Sequence, residues 1–280
     1  MRRHKPKNKK NYFFLALLLI VLFALKEFKP ELISPQEEPQ TSTSQALPQE
    51  NITTTGEVYF LPSSTTNQII EHSTYYLSYS EEHEQAEWVA YELTPEHLSG
   101  GKYKRPHFSQ DPKVSTKSAH SNTYKNSGYT RGHLLPAGDR IFSKEAYDET
   151  FFTSNISPQL AEFNTGIWNS LEMKVRNFVK KNGKVYVVTG GVLTDNLETI
   201  GAEKVAVPEY FYKVLLHHNG KQYQMRAYLI PHKEERRKKL PDYLVAVDSI
   251  EALTGIDFFP FLEDTLEEEL ESKVELKGWF

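Results

Sequence analysis

The feature that most limits the fold is an irregular stretch from about Thr94 to Asp139, rich in Pro, Gly, Ser, Asn and His. A stretch of that length inside a compact domain reads as a functional loop region rather than core. Immediately after it the pattern changes. A short helix is predicted over 143–152 ("SKEAYDETFF"), and a clear amphipathic helix over 160–181 ("LAEFNTGIWNSLEMKVRNFVKK"). In the second, Phe163, Ile167, Leu171, Val175 and Phe178 fall on one apolar face.

Strand patterns flank this loop-helix centre. "STYYLSYS" (73–80) and "EWVAYEL" (87–93) alternate with β-branched and aromatic residues and read as paired strands. Downstream come "KVYVVTGGVL" (184–193), "EYFYKVLLHH" (209–218) and "KQYQMRAYLIP" (221–231). The last two are joined by Asn219-Gly220, a strong hairpin signal. "SIEALTG" (249–255) predicts a short helix with Gly255 as its C-cap, and the acidic tail "EDTLEEELESKVELK" reads as a helical, solvated face. Strands around one central loop-helix segment predict an α+β fold, as one domain over 57–280.

The 280 residues include no cysteine, so disulfides, thiolate chemistry and cysteine zinc sites are excluded. The "HEQAE" at 83–87 lacks the second histidine of a zinc-hydrolase motif. Net charge is −4, but residues 1–28 hold seven Lys/Arg against the single acid Glu27. The rest therefore carries 26 basic and 36 acidic residues. An acidic body argues against coating nucleic acid by bulk electrostatics, while leaving room for a local basic site.

The basic N-terminus precedes an unbroken apolar run, Tyr12 to Leu25. At about 1.5 Å per residue it is short for a bilayer core of about 30 Å. Segment 1–28 is expected to be a signal-anchor or a cleaved signal peptide, placing the body outside the cytoplasm, membrane-anchored or secreted. Residues 29–56, rich in Pro, Gln, Glu, Ser and Thr, read as a disordered linker, with a weak glycosylation sequon at Asn51.

The chemistry concentrates in "GYTRGHLLPAGDR" (128–140) and the helix behind it. Gly132 and Pro136 disfavour a regular element around His133, so the imidazole is expected on a rigid turn. Asn155 and Gln159 fall in a Pro-containing turn. Asn164, Trp168, Glu172 and Arg176 then follow at four-residue steps, each displaced by only about 40° around an ideal helix, which predicts a slowly winding polar stripe. Asparagine is a poor helix-interior residue, so Asn164 points to N-terminal positioning or a ligand role. Glu172 and Arg176 alone would be an ordinary ion pair on a solvated face. Together the two segments supply what phosphodiester hydrolysis needs. These are a neutral imidazole to accept a proton from water, an amide oxygen for a hard divalent cation, arginines for phosphate oxygens, and a carboxylate to orient metal-bound waters.

"RGHLLPAGD" followed by "SNISPQ", "FNTGIW" and "LEMKVR" resembles the DNA/RNA non-specific endonucleases, the endonuclease G-like group with a ββα-metal (His-Me finger) core. The resemblance spans roughly 73–262. It implies such a core on a mixed, mainly antiparallel sheet, with one Mg²⁺ or Mn²⁺ per site and DNA and RNA as partners. By the same resemblance His133 is the general base, Asn164 the metal's direct protein ligand, and Glu172 the partner of its waters. Arg176 and Arg131 serve the phosphate, with Asn155 and an upstream Arg105 lining the substrate site. Arg140, Lys174, Lys180 and Lys181 are candidate backbone contacts. One position departs: the family motif begins with aspartate where this chain has Thr130. A hydroxyl there can still make a local hydrogen bond, but brings no negative charge. The alternative reading is a non-catalytic, envelope-anchored module that binds nucleic acid or protein; a homodimer is compatible with either.

Overall fold

A computed structural model describes residues 61–233 and 238–280. The signal-anchor, the linker, the Asn51 sequon and the expected domain start at Glu57 lie outside the described residues. Seven strands form the main sheet: β1 (Ile69–Glu71), β2 (Tyr76–Ser80), β3 (Gln85–Leu93), β6 (Val185–Gly191), β9 (Tyr210–His218), β10 (Tyr223–Pro231) and β11 (Leu244–Val245). They lie in that order across the sheet, and every ladder is antiparallel. Between β3 and β6 the chain leaves the sheet to form a separate hairpin, β4 (Thr130–His133) with β5 (Ile156–Gln159), and α1 (Lys144–Glu149) lies between these two strands. A two-stranded ribbon, β7 (Thr199–Ile200) with β8 (Val205–Ala206), follows β6.

The β9–β10 hairpin turns where the sequence signal places it. Gly220 has φ +86°, and the Asn219 side-chain oxygen accepts from the backbone N–H groups of Lys221 and Gln222. Its ladder runs from Tyr223↔His218 to Pro231↔Tyr210 without a slip.

The predicted 160–181 helix is present but interrupted. A short turn, Ala161–Phe163, passes through a π-helical turn, Asn164–Trp168, before the regular helix α2 (Asn169–Asn182). Gly166 has non-helical φ −97°, ψ −108° inside the wide turn. A π-turn inserts a residue into the helical ladder and often marks a functional position. It also breaks the expected polar stripe. Trp168 is fully buried instead of continuing from Asn164 to Glu172.

The sheet has a core on each face. On one, α2 sets Leu171, Val175, Phe178 and Val179 against Leu77, Val89, Tyr91 and Leu215. On the other, α3 (Val247–Thr254) and α4 (Asp264–Glu271) close over Trp88, Val188, Tyr212 and Val214. Gly255 ends α3 in the left-handed conformation, φ +70°. The acidic tail is helical as expected, but not wholly solvated: its last helical residue, Glu271, is buried. Among the described residues no helix is long and apolar enough to cross a membrane.

Candidate active site

The β4–β5 hairpin fixes one wall of the site. Its register sets Thr130 opposite Gln159 and His133 opposite Ile156. A Cβ at Gly132 would lie 2.1 Å from the Gln159 side-chain oxygen, so a larger residue there would push the buried Gln159 side chain aside. Side chains alternate across a strand, so Thr130 and Gly132 face one way and Arg131 and His133 the other.

His133 sits between two aromatic rings, Phe151 edge-on at 5.0 Å and Phe108 at 5.5 Å. Its Nε2 is buried and has no hydrogen-bond partner. Burial, and then the positive charge of Arg105, push the imidazole down to about 3. It is neutral at physiological pH, with a lone pair free for a proton. The Arg105 guanidinium lies over the same rings, 5.2 Å from Phe151 and 5.3 Å from Phe108. Arg131 lies 5.6 Å from Phe108 and donates from Nε and Nη2 to the Ser121 carbonyl at 3.1 and 2.5 Å. Neither arginine meets a carboxylate among the described residues, and both line one groove with His107, Phe108 and Ser121. A basic groove is thus held open beside a neutral imidazole.

The helix supplies the second wall. Asn164 donates from Nδ2 to the Thr130 hydroxyl at 3.0 Å, and that hydroxyl donates to the Gln159 carbonyl at 2.8 Å. The chain turns the amide so that its Oδ1, without a hydrogen bond among the described residues, is the end left for a ligand. A neutral amide oxygen, in a chain without cysteine, suits a hard, water-rich divalent cation better than zinc. The donor set therefore fits the metal that the resemblance implies.

Further along, Arg176 donates from Nε to Asp139 Oδ1 at 2.5 Å and from Nη2 to Glu172 Oε2 at 3.2 Å. Tyr91 donates to the other Asp139 oxygen at 3.2 Å. Lys213, on the β9 face below α2, is buried with no hydrogen-bond partner for its ammonium, which lies 4.8 Å from the Trp168 ring. Burial pushes Glu172 up to about 7, with Lys213 and Arg176 opposing it. Burial pushes Lys213 down to about 8, against the pull of Glu172 and Asp139. For Arg176 burial works against the charge, but Asp139 and Glu172 hold its pKa above the ordinary value.

Two assignments change. Asn155 is fully buried. It accepts from Leu135 N–H at 2.8 Å and donates to the carbonyls of Leu135 and Thr150 at 3.0 and 2.8 Å. It fixes the turn after His133 from behind and offers nothing to a substrate. Arg140 is also fully buried, bonded to Thr74, Asp139 and Glu92, and is no backbone contact. Lys174, Lys180 and Lys181 are exposed on α2. Sequence reasoning passed over Asp139 and Lys213. Asp139 stood within the glycine-rich stretch, and Lys213 was the one cation in an otherwise apolar run, "YFYKVLL".

The sequence profile of the DNA/RNA non-specific endonuclease family matches residues 53–265. The chain is 37% identical over 230 residues to Nuclease EXOG, mitochondrial, of Xenopus laevis, covering 74% of this chain and 62% of that protein. It is 34% identical over 207 residues to Endonuclease G, mitochondrial, of Homo sapiens, covering 69% and 70%. EndoG in the EndoG/EndoGI complex superposes with a TM-score of 0.66 at 32% identity, over 71% of this chain and 88% of that one. The chain spans 62% and 61% of the length of the Xenopus laevis and Danio rerio EXOG relatives. These relatives correct the expected placement, membrane-anchored or secreted beyond the cytoplasm. They carry "mitochondrial" in their names. With hairpin, helix and family profile in agreement, this chain belongs to the DNA/RNA non-specific endonuclease family.

Proposed function

We propose that the chain is a metal-dependent endonuclease that hydrolyses phosphodiester bonds of DNA and RNA with little sequence preference. The observation that carries this reading is the buried, partnerless Nε2 of neutral His133 beside Arg105 and Arg131, neither of which meets a carboxylate among the described residues. His133 accepts the proton of the attacking water. Arg105 and Arg131 take the non-bridging phosphate oxygens. Phosphate on Arg105 also offsets one of the two causes that depress His133, raising its basicity when substrate is bound. Asn164 would hold one divalent cation, Mg²⁺ or Mn²⁺, which when bound supplies charge stabilisation for the phosphate and the leaving oxygen. Glu172, held by Arg176, orients water near that position. All these groups address phosphate, water or cation and none is aimed at base edges, so sequence preference is expected to be low.

The test is incubation of supercoiled plasmid, linear DNA and RNA with Mg²⁺ or Mn²⁺, with and without EDTA. Cutting of all three that stops with EDTA is expected. Tight, EDTA-insensitive binding without nicking would replace the proposal with a non-catalytic binding module.

A further inference from the structure

Away from the hairpin, the C-terminal helix builds a second polar site. Asp248 and Glu251 stand three residues apart on α3, and Glu271 ends α4. One carboxylate oxygen from each lies within 4.8 Å of the other two. Asp248 is exposed, Glu251 half-buried, and Glu271 only 6% exposed. One oxygen of Glu271 is buried with no hydrogen-bond partner, and Glu267, one turn earlier on α4, also has a buried, partnerless oxygen.

No cation balances this charge among the described residues. The charged groups acting on Glu271 are Glu251, Glu267, Asp257 and Asp248, all acidic. Lys273, two residues beyond Glu271, pairs at 2.6 Å with Glu269, where both side chains are 62% exposed. A buried carboxylate in such a field must bind either a proton or a cation. Three carboxylate oxygens within 4.8 Å of one another lie within reach of a common centre, as a hard cation with oxygen ligands at about 2.4 Å requires.

We propose that Asp248, Glu251 and Glu271 bind one hard divalent cation of the Ca²⁺ type, and that this cation clamps α4 onto α3. Glu251 keeps one oxygen on the Phe258 backbone N–H at 2.8 Å, which fixes its orientation. Exposed Asp248 leaves one side of the site open to water ligands. Glu267 and Asp257 add negative charge that raises the site's affinity without supplying the ligands. The family profile ends at residue 265, so Glu271 lies beyond the matched region.

The experiment is thermal unfolding of the metal-stripped full chain at pH 8 during titration with CaCl₂, without nucleic acid. It is run on the unsubstituted chain, Asn164→Ala, Glu271→Gln and Asp248→Asn. Asn164→Ala removes the proposed cation ligand of the nuclease site, so the reading tested does not depend on catalysis. A rise of about 5 °C at a hundredfold excess over Kd is expected in the unsubstituted chain and in Asn164→Ala. Glu271→Gln should lose that rise while staying folded, since glutamine keeps the volume. Exposed Asp248→Asn should need about tenfold more Ca²⁺. A Ca²⁺-induced rise that survives Glu271→Gln overturns the site. So does a chain whose stability responds to pH but not to Ca²⁺, which would mean that protons alone neutralise the cluster.

Discussion

The two faces of the seven-stranded sheet use the same strands for opposite purposes. On the face covered by α3, β9 presents Tyr212, Val214 and Leu216 to an apolar core. On the face covered by α2, the alternate residues of that strand include Lys213, buried below Trp168 and coupled by charge to Glu172, Asp139 and Arg176. Burying four charged groups under one helix is costly unless they satisfy one another. The protein places these four groups on the face that carries the hairpin and the proposed cation ligand of the nuclease site. The other face gives stability, so the two should respond to mutation in different currencies, stability on one and activity on the other.

The largest expected effect is on the apolar face. Phe258 is fully buried there against Tyr212, and Phe258→Ala should destabilise by about 4 kcal/mol. Chemical denaturation would show it, while kcat of the folded fraction stays unchanged. On the polar face, Asn164→Ala should lower cutting about 100-fold, roughly 2.7 kcal/mol in the barrier, with little change in the unfolding midpoint. Mg²⁺ titrations of the rate should then need far more metal.

Thr130 gives a finer cut between positioning and ligation. Thr130→Val removes the hydroxyl that orients Asn164 and should lower the rate about 10-fold, whereas Thr130→Ser should restore most of it. Equal rates for both would remove Thr130 from the account of the site. The smallest effect concerns pH. Glu172 is needed as a carboxylate, and Lys213 pulls its raised pKa downward. Lys213→Met removes that pull, so the Glu172 pKa rises and activity is lost at a higher pH on acidification. The acidic limb of the pH–rate profile should move up; a limb that stays put separates Lys213 from Glu172.

Much of the frame was legible in the chain. The strand pairs, the Asn219-Gly220 turn and the Gly255 cap are local signals written in alternation and turn chemistry, and the structure places them where those signals fall. The His133 and Asn164 segments were visible because breakers and poor helix formers stood where a purely structural chain would not put them. What escaped was tertiary. Ideal helical periodicity set Trp168 on a polar stripe, but the π-turn at Asn164–Trp168 rotates it into the core. Asn155 looked like a substrate contact because its three backbone partners are distant neighbours or turn carbonyls that no spacing reveals. The acidic tail read as solvated because only the approach of α4 to α3 buries Glu271.

The central claim is that a neutral, partnerless His133 activates water beside a basic groove. The direct measurement is the rate of plasmid nicking at saturating Mg²⁺ for the unsubstituted chain and for His133→Ala, with folding checked by circular dichroism. A loss of about 10³-fold with an intact fold is expected; undiminished cutting by His133→Ala would contradict the account.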